Sequence, residues 1–136
     1  MKSAFATAAI VLASCSSTFA ADNAASVVPK FTHMIPNIPG KTLTAVEVTL
    51  PPGGRSAPHH HAGSAFIFAY VLSGAVKSQV EGQPAHIYSE GESWYEDPGA
   101  HHLLAENMSK AKPVKFLAVF VVDSNDKTLT RADSAK

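Results

Sequence analysis

The 136-residue chain is long enough for one domain with a real core and too short for two. Its 11 Lys+Arg balance 11 Asp+Glu with no block of like charge, which argues against the clustered basic surface that nucleic acid or an anionic membrane requires. Seven histidines are a mild excess, and five of them fall in two tight groups, His59–His61 and His101–His102.

Residues 1–20 read as a secretory signal peptide. Lys2 is a minimal positive region, AFATAAIVLA is a short apolar run, and STFA ends in small residues, so cleavage is expected after Ala20. That implies a periplasmic or secreted domain. The apolar run is too short for a permanent anchor, and no later segment is apolar for long enough to span a membrane. A competing signal, LASC at Leu12–Cys15, resembles a lipoprotein box and would make Cys15 a lipid anchor. Cleavage after Ala20 is favoured and would discard it. Neither route leaves the mature domain a free thiol or a disulfide, so packing must stabilise it.

Residues 21–41 read as an N-terminal arm of short extended pieces, because Pro29, Pro36, Pro39 and Gly40 interrupt any helical period. Strand-type runs occupy 42–123. TLTAVEVTL alternates, with Val46, Val48 and Leu50 on one face and Ala45, Glu47 and Thr49 on the other. AFIFAYVLS is apolar on both faces and AVKSQVE alternates again. AHIYS, SWYE, HHLLAEN and VKFLAVFVV follow, separated by the turn signals PPGG, Ser73-Gly74, EGQP, SEGE, DPG and NMSKAKP. Residues 124–136 read as a polar C-terminal tail. With no apolar stripe at helical spacing, the chain is predicted to be an all-β sandwich or barrel of short strands.

In a strand, His59 and His61 point one way and His60 the other. Two imidazoles one strand step apart suit a borderline metal ion such as Fe, Mn, Ni, Cu or Zn. The plainer reading is a solvated polar loop after Pro58.

The segments PGGRSAPHHH…AYVLSGAVKSQVEG and GESWYEDPGAHHLLAEN together resemble the two motifs of the cupin superfamily, over about Val46 to Val122. Gly53 or Gly54, His59, His61, Gly74, Gly91, Pro98, Gly99 and His102 fall into the family's places. One motif pair implies a small, type-2-like exported protein with a single cupin (jelly-roll) antiparallel β-barrel. The resemblance further implies one divalent metal ion (Fe, Mn, Zn, Ni or Cu) held by His59, His61 and His102. His101 lies one step off the pattern and should face away from His102. It would support the ligands from behind, or replace one if the turn after Gly99 is irregular.

The family's glutamate normally lies three residues before the aromatic of YVL, a place that Ile67 takes here. Ala62 to Gly74 contains no Asp, Glu, Asn or Gln. Glu106 shares a face with His102, but four strand residues put it roughly 13 Å along the strand, where the family has an asparagine, so it is expected to support the ligands or line the pocket rather than bind the ion. Glu96 and Asp97 read as solvated turn residues. A carboxylate is therefore expected to be absent, leaving an ion's charge to be balanced by a bound water or an anionic chelating substrate.

The implied function is an oxygenase or related metalloenzyme acting on a small chelating organic molecule, with apolar walls near Ile67 and Ala69. The alternative is a non-catalytic periplasmic barrel that binds a small molecule or metal. Neither a phosphate loop nor a nucleophile elbow nor a Cys/His pair is present in the mature chain. Arg55 and Ser56 sit where they could touch a ligand at the barrel mouth. Trp94, Tyr95 and Tyr88 read as core or rim aromatics, and His33 and His86 as structural or solvated. Phe66, Phe68, Tyr70 and Leu72 share one face of their strand, with Ala65, Ile67, Ala69 and Val71 on the other. Both faces need cover. The arm (Val27, Val28, Phe31, Ile35, Ile38) or a second subunit would supply it, and a homodimer is expected.

Overall fold

The computed structural model describes residues 24–134; the expected signal peptide, with Cys15 and Ala20, lies outside them. Ten strands run in chain order: β1 (Ser26–Met34), β2 (Lys41–Leu50), β3 (His59–His61), β4 (Phe66–Ser73), β5 (Ala75–Val80), β6 (His86–Ser89), β7 (Ser93–Glu96), β8 (His101–Asn107), β9 (Val114–Asp123) and β10 (Thr130–Ala132). They form two five-stranded sheets, ordered β1-β2-β9-β4-β7 and β10-β3-β8-β5-β6. Every pairing is antiparallel, and no helix occurs among the described residues. This is the expected all-β jelly roll.

Period-two patterning builds the core between the sheets. On β2, Val46, Val48 and Leu50 are buried, opposite Ala118, Phe116 and Val114 of β9. Ile67, Ala69 and Val71 of β4 complete that layer, and Val76 and Ala105 face it from the second sheet. Each of the valine, leucine, isoleucine and phenylalanine side chains among them contributes about 1.5–3 kcal/mol on burial. Gly74 turns β4 into β5 at φ 81°, and a Cβ there would lie 3.2 Å from Val114. Both the left-handed backbone and the close approach demand glycine.

Three features depart from the sequence expectation. Phe66, Phe68, Tyr70 and Leu72, on the outer face of β4, remain about two-fifths exposed. The arm does not cover them: β1 pairs with β2 and lengthens the sheet at the edge opposite β7. Next, β8 carries an extra residue, since Gln79 pairs with Leu104 and Val80 with His102, leaving Leu103 without a partner on β5. This bulge turns Ala105 and Asn107 inward and Glu106 outward, so Glu106 does not share the face of His102. Last, part of the polar tail is a strand. β10 pairs with β3, a backbone-driven contact that an exposed polar segment does not advertise.

Asn107, turned inward by the bulge, ties together the loops at the end of β8 away from His102. Its amide donates to the carbonyls of Leu50, Pro51 and Lys112 at 3.2, 2.9 and 2.8 Å, and its oxygen accepts from the Ser109 N–H at 2.9 Å. Asn107→Ala should leave these buried groups without partners and cost on the order of 3 kcal/mol. Urea unfolding should show a lower midpoint with an unchanged slope.

Candidate metal centre

The two histidine groups meet because β3 and β8 pair in one register. His59 stands opposite His102 and His60 opposite His101. Alternation then makes two cross-strand pairs on opposite faces, the first inside the barrel and the second outside. Inside, the ring centroids of His59 and His102 are 5.1 Å apart, and those of His59 and His61 are 4.8 Å apart. The turn before β8 brings the end of β3 close: His61 N–H donates to Ala100 O at 2.9 Å and Gly99 N–H to Ala62 O at 3.1 Å.

Each ring is oriented by a partner. His59 Nδ1 lies 2.8 Å from the carbonyl of Ala57, which can only accept, so Nδ1 carries the proton and Nε2 keeps its lone pair. His61 Nδ1 is 3.4 Å from Thr130 Oγ1 on β10. His102 Nε2 is 2.9 Å from Ser78 Oγ, while its Nδ1 turns toward the opposite sheet.

There it meets the carboxylate that was expected to be missing. Glu96, read from the sequence as a solvated turn residue, is 3% exposed and projects from β7 into the barrel. Its Oε1 accepts from Trp94 Nε1 at 3.1 Å and lies 3.3 Å from His102 Nδ1. Its Oε2 is 3.1 Å from His61 Nε2 but off the line of a hydrogen bond, so it is buried without a partner. Glu96 is also the residue on β7 directly opposite Ile67. Glu96 thus stands one strand away from the place where the family pattern puts a glutamate, and strand alternation from the buried Trp94 was the signal for its inward direction. Asp97, its neighbour, is exposed as expected.

Outside, His60 and His101 stack with centroids 3.9 Å apart, and Asp133 clasps both at 3.2 and 2.9 Å. Glu81 Oε1 lies 3.5 Å from His101 Nδ1. Hydrogen bonding to Asp133 raises the His101 pKa and holds that of Asp133 below its ordinary value. His101 therefore neither backs nor replaces an inner ligand. It fastens the chain beyond β10 to the outside of the barrel.

The inner rings line a cavity of about 530 Å³, within the size range of small-molecule sites. Ile67, Ala69, Phe116 and Ala118 form its apolar walls, and Arg55 and Ser56 lie on its lining as the loop position suggested. Glu106 is not on it, whereas Trp94 is, as a core aromatic. Tyr88 packs on the core, while Tyr95, His33 and His86 are exposed.

The ring nitrogens of His59, His61 and His102 lie within 4.8 Å of one another, and a small inward turn of the rings would bring them to the roughly 3.4 Å spacing of ligands about 2.1 Å from one tetrahedral ion. With the unpartnered Glu96 oxygen beside them, the donor set fits a divalent ion. The pattern of a cupin domain matches residues 46–120, more than half of the chain. The chain belongs to the cupin family.

As a cupin it shares its barrel with proteins of diverse activity. The structure of oxalate oxidase with the substrate analogue glycolate superposes with a TM-score of 0.60 at 19% identity, covering 76% of this chain and 53% of that one. The cupin domain of Schizosaccharomyces pombe Cnp3 gives 0.59 at 15% identity over 74% and 66% of the two chains. DMSP lyase DddQ from Ruegeria pomeroyi DSS-3 gives 0.55 at 22% over 66% and 42%. This chain thus spans about half the length of such enzymes. No curated protein sequence matches it. At these identities the likeness is one of fold.

Burial pushes the His102 pKa down from 6.5 to about 4 and lowers that of His59. Burial alone would raise Glu96, but the His61 and His102 rings and the Trp94 N–H hold it below its usual range. The signs agree. Below pH 6.5 the unfolded chain takes up protons on these histidines that the folded chain refuses. A depressed Glu96 likewise withholds its stabilisation as acid protonates it. The metal-free protein should therefore lose stability as pH falls from 6.5 to about 4, by on the order of 3 kcal/mol from His102. Thermal melts across that range should show the fall, and His102→Gln should make it shallower.

Proposed function

We propose that this chain is an exported cupin, periplasmic or secreted, that holds one divalent ion through His59, His61 and His102. It acts on a small organic molecule that chelates the ion, as an oxygenase or related metalloenzyme. The observation that carries this reading is the convergence of the three imidazoles on one wall of a largely apolar cavity. Imidazole suits Fe, Mn, Ni, Cu and Zn alike.

A bound ion would supply Lewis acidity, polarising the oxygens of a molecule that chelates it. The chain's residues do the rest. Ala57 fixes the His59 tautomer, and Ser78 and Thr130 orient the other two rings. Ile67, Ala69, Phe116 and Ala118 keep water from the reacting face. Ser56 lines the cavity with a buried hydroxyl that has no partner, and Arg55 lies beside it. A hydroxyl and a guanidinium together suit the anionic oxygen of an entering substrate.

A second reading is a non-catalytic binder of a small molecule or metal. It is favoured by the lining, where the ionisable side chains are Arg55, the three histidines and Glu96. All but Arg55 crowd the ion position, leaving no separate proton-transfer group.

Elemental analysis of protein purified from its native compartment should find one divalent ion per chain. His61→Ala should lower metal affinity by at least a hundredfold, whereas His60→Ala should change it little; equal losses would sink the assignment of faces. Oxygen uptake with Fe(II)-loaded protein against diketones, catechols and thiols separates oxygenase from binder.

The uncovered outer face of β4 supports a homodimer. Phe66 stacks on Tyr95 with centroids 5.9 Å apart and Phe68 on Tyr70 at 6.5 Å, making a preformed aromatic surface. Light scattering should give twice the chain mass, reduced to a monomer by Phe68→Asp; a monomeric wild type would rule the dimer out.

A further inference from the structure

We infer that Glu96 is the carboxylate ligand of the metal centre, supplied from β7 in place of the glutamate that the family pattern puts at Ile67 on β4. The inference rests on the three-histidine reading above and adds a fourth, charged donor to it.

The register carries it first. Ile67 and Glu96 are directly paired across β4 and β7, and both are almost completely buried and line the same cavity. Paired residues on neighbouring strands project from the same face, with Cβ atoms about 5 Å apart. A carboxylate at either position therefore enters the barrel at the same height. Transfer to the neighbouring strand leaves the β4 position to an apolar side chain, and isoleucine fills it.

The bonding of the two oxygens carries it second. Oε1 is held by the Trp94 indole, whose N–H can only donate. Oε2 has no hydrogen-bond partner, although it lies 3.1 Å from His61 Nε2. A buried carboxylate oxygen facing a ring nitrogen without an aligned proton is costly unless a positive charge sits against both. One oxygen fixed from behind and one left bare is how a ligating carboxylate is usually positioned. A purely structural glutamate here would instead be expected to use Oε2 in an aligned bond to His61 or His102.

The test is metal affinity rather than turnover. Metal-free full-length mature protein is titrated with Co(II), following its visible absorption, and with Zn(II) in competition with a chelator. Glu96→Gln keeps the shape and the acceptor for Trp94, and it should weaken Zn(II) binding by tenfold to a hundredfold or more and alter the Co(II) spectrum. The exchange Ile67→Glu with Glu96→Ile should recover most of the lost affinity. If Glu96→Gln binds both ions as wild type does, Glu96 is only a partner of the histidines and the inference is overturned. If Glu96→Gln fails to fold, the exchanged pair decides alone: folded protein that binds as wild type supports the inference, and folded protein that binds weakly overturns it. Wild type that takes up neither ion overturns the three-histidine reading itself, and this inference with it.

Discussion

One backbone register, that of β3 against β8, underlies the rest of the structure. It sets His59 against His102 and His60 against His101. A slip of one residue would exchange the faces and send the inner rings outward. The register is pinned from both ends. The Asp97–Ala100 turn bonds to Ala62 and His61 on one side, and β10 pairs along β3 on the other. The clasp of Asp133 on the outward pair adds a side-chain lock to the same alignment. Inner chemistry and outer fastening are thus two faces of a single pairing.

The buried polar groups divide sharply by how well they are satisfied. Asn107 uses its whole amide and holds loops. Glu96, equally buried, keeps one oxygen bare beside two imidazoles. Folding tolerates such a group where another demand has placed it, and the loop-tying asparagine shows what a structural solution looks like in the same barrel. Ser56, the other buried side-chain oxygen without a partner among the described residues, opens onto the same cavity. Unmet bonding capacity is therefore concentrated where a ligand would enter.

Much of this was legible in the residues themselves. Period two assigned β2, β4 and β9 to a two-sheet core and put His59 and His61 on one face. The same rule, applied from Trp94 to the residue two places on, would have sent Glu96 inward. The following Asp97-Pro98-Gly99 carried so strong a turn signal that the strand's last residue was read as part of the turn. Glu106 failed for another reason. The extra residue at Leu103 reverses parity, and nothing in HHLLAEN marks a bulge whose cause lies in the register of β5. β10 was hidden because three exposed residues of ordinary polarity join a sheet through backbone bonds alone. Local pattern reveals what a residue's own strand dictates, and not what a neighbouring strand imposes.

The donors do not stand on equally firm supports. The histidines belong to β3 and β8, each hydrogen-bonded along both sides within its sheet. Glu96 closes a four-residue strand at the margin of the other sheet, paired with β4 alone. One half of the centre is consequently stiff, and the other is compliant. Accommodation of ions of different radius, or of a bulky guest, would fall to the carboxylate side, where few backbone bonds resist displacement, while the imidazole frame stays in place.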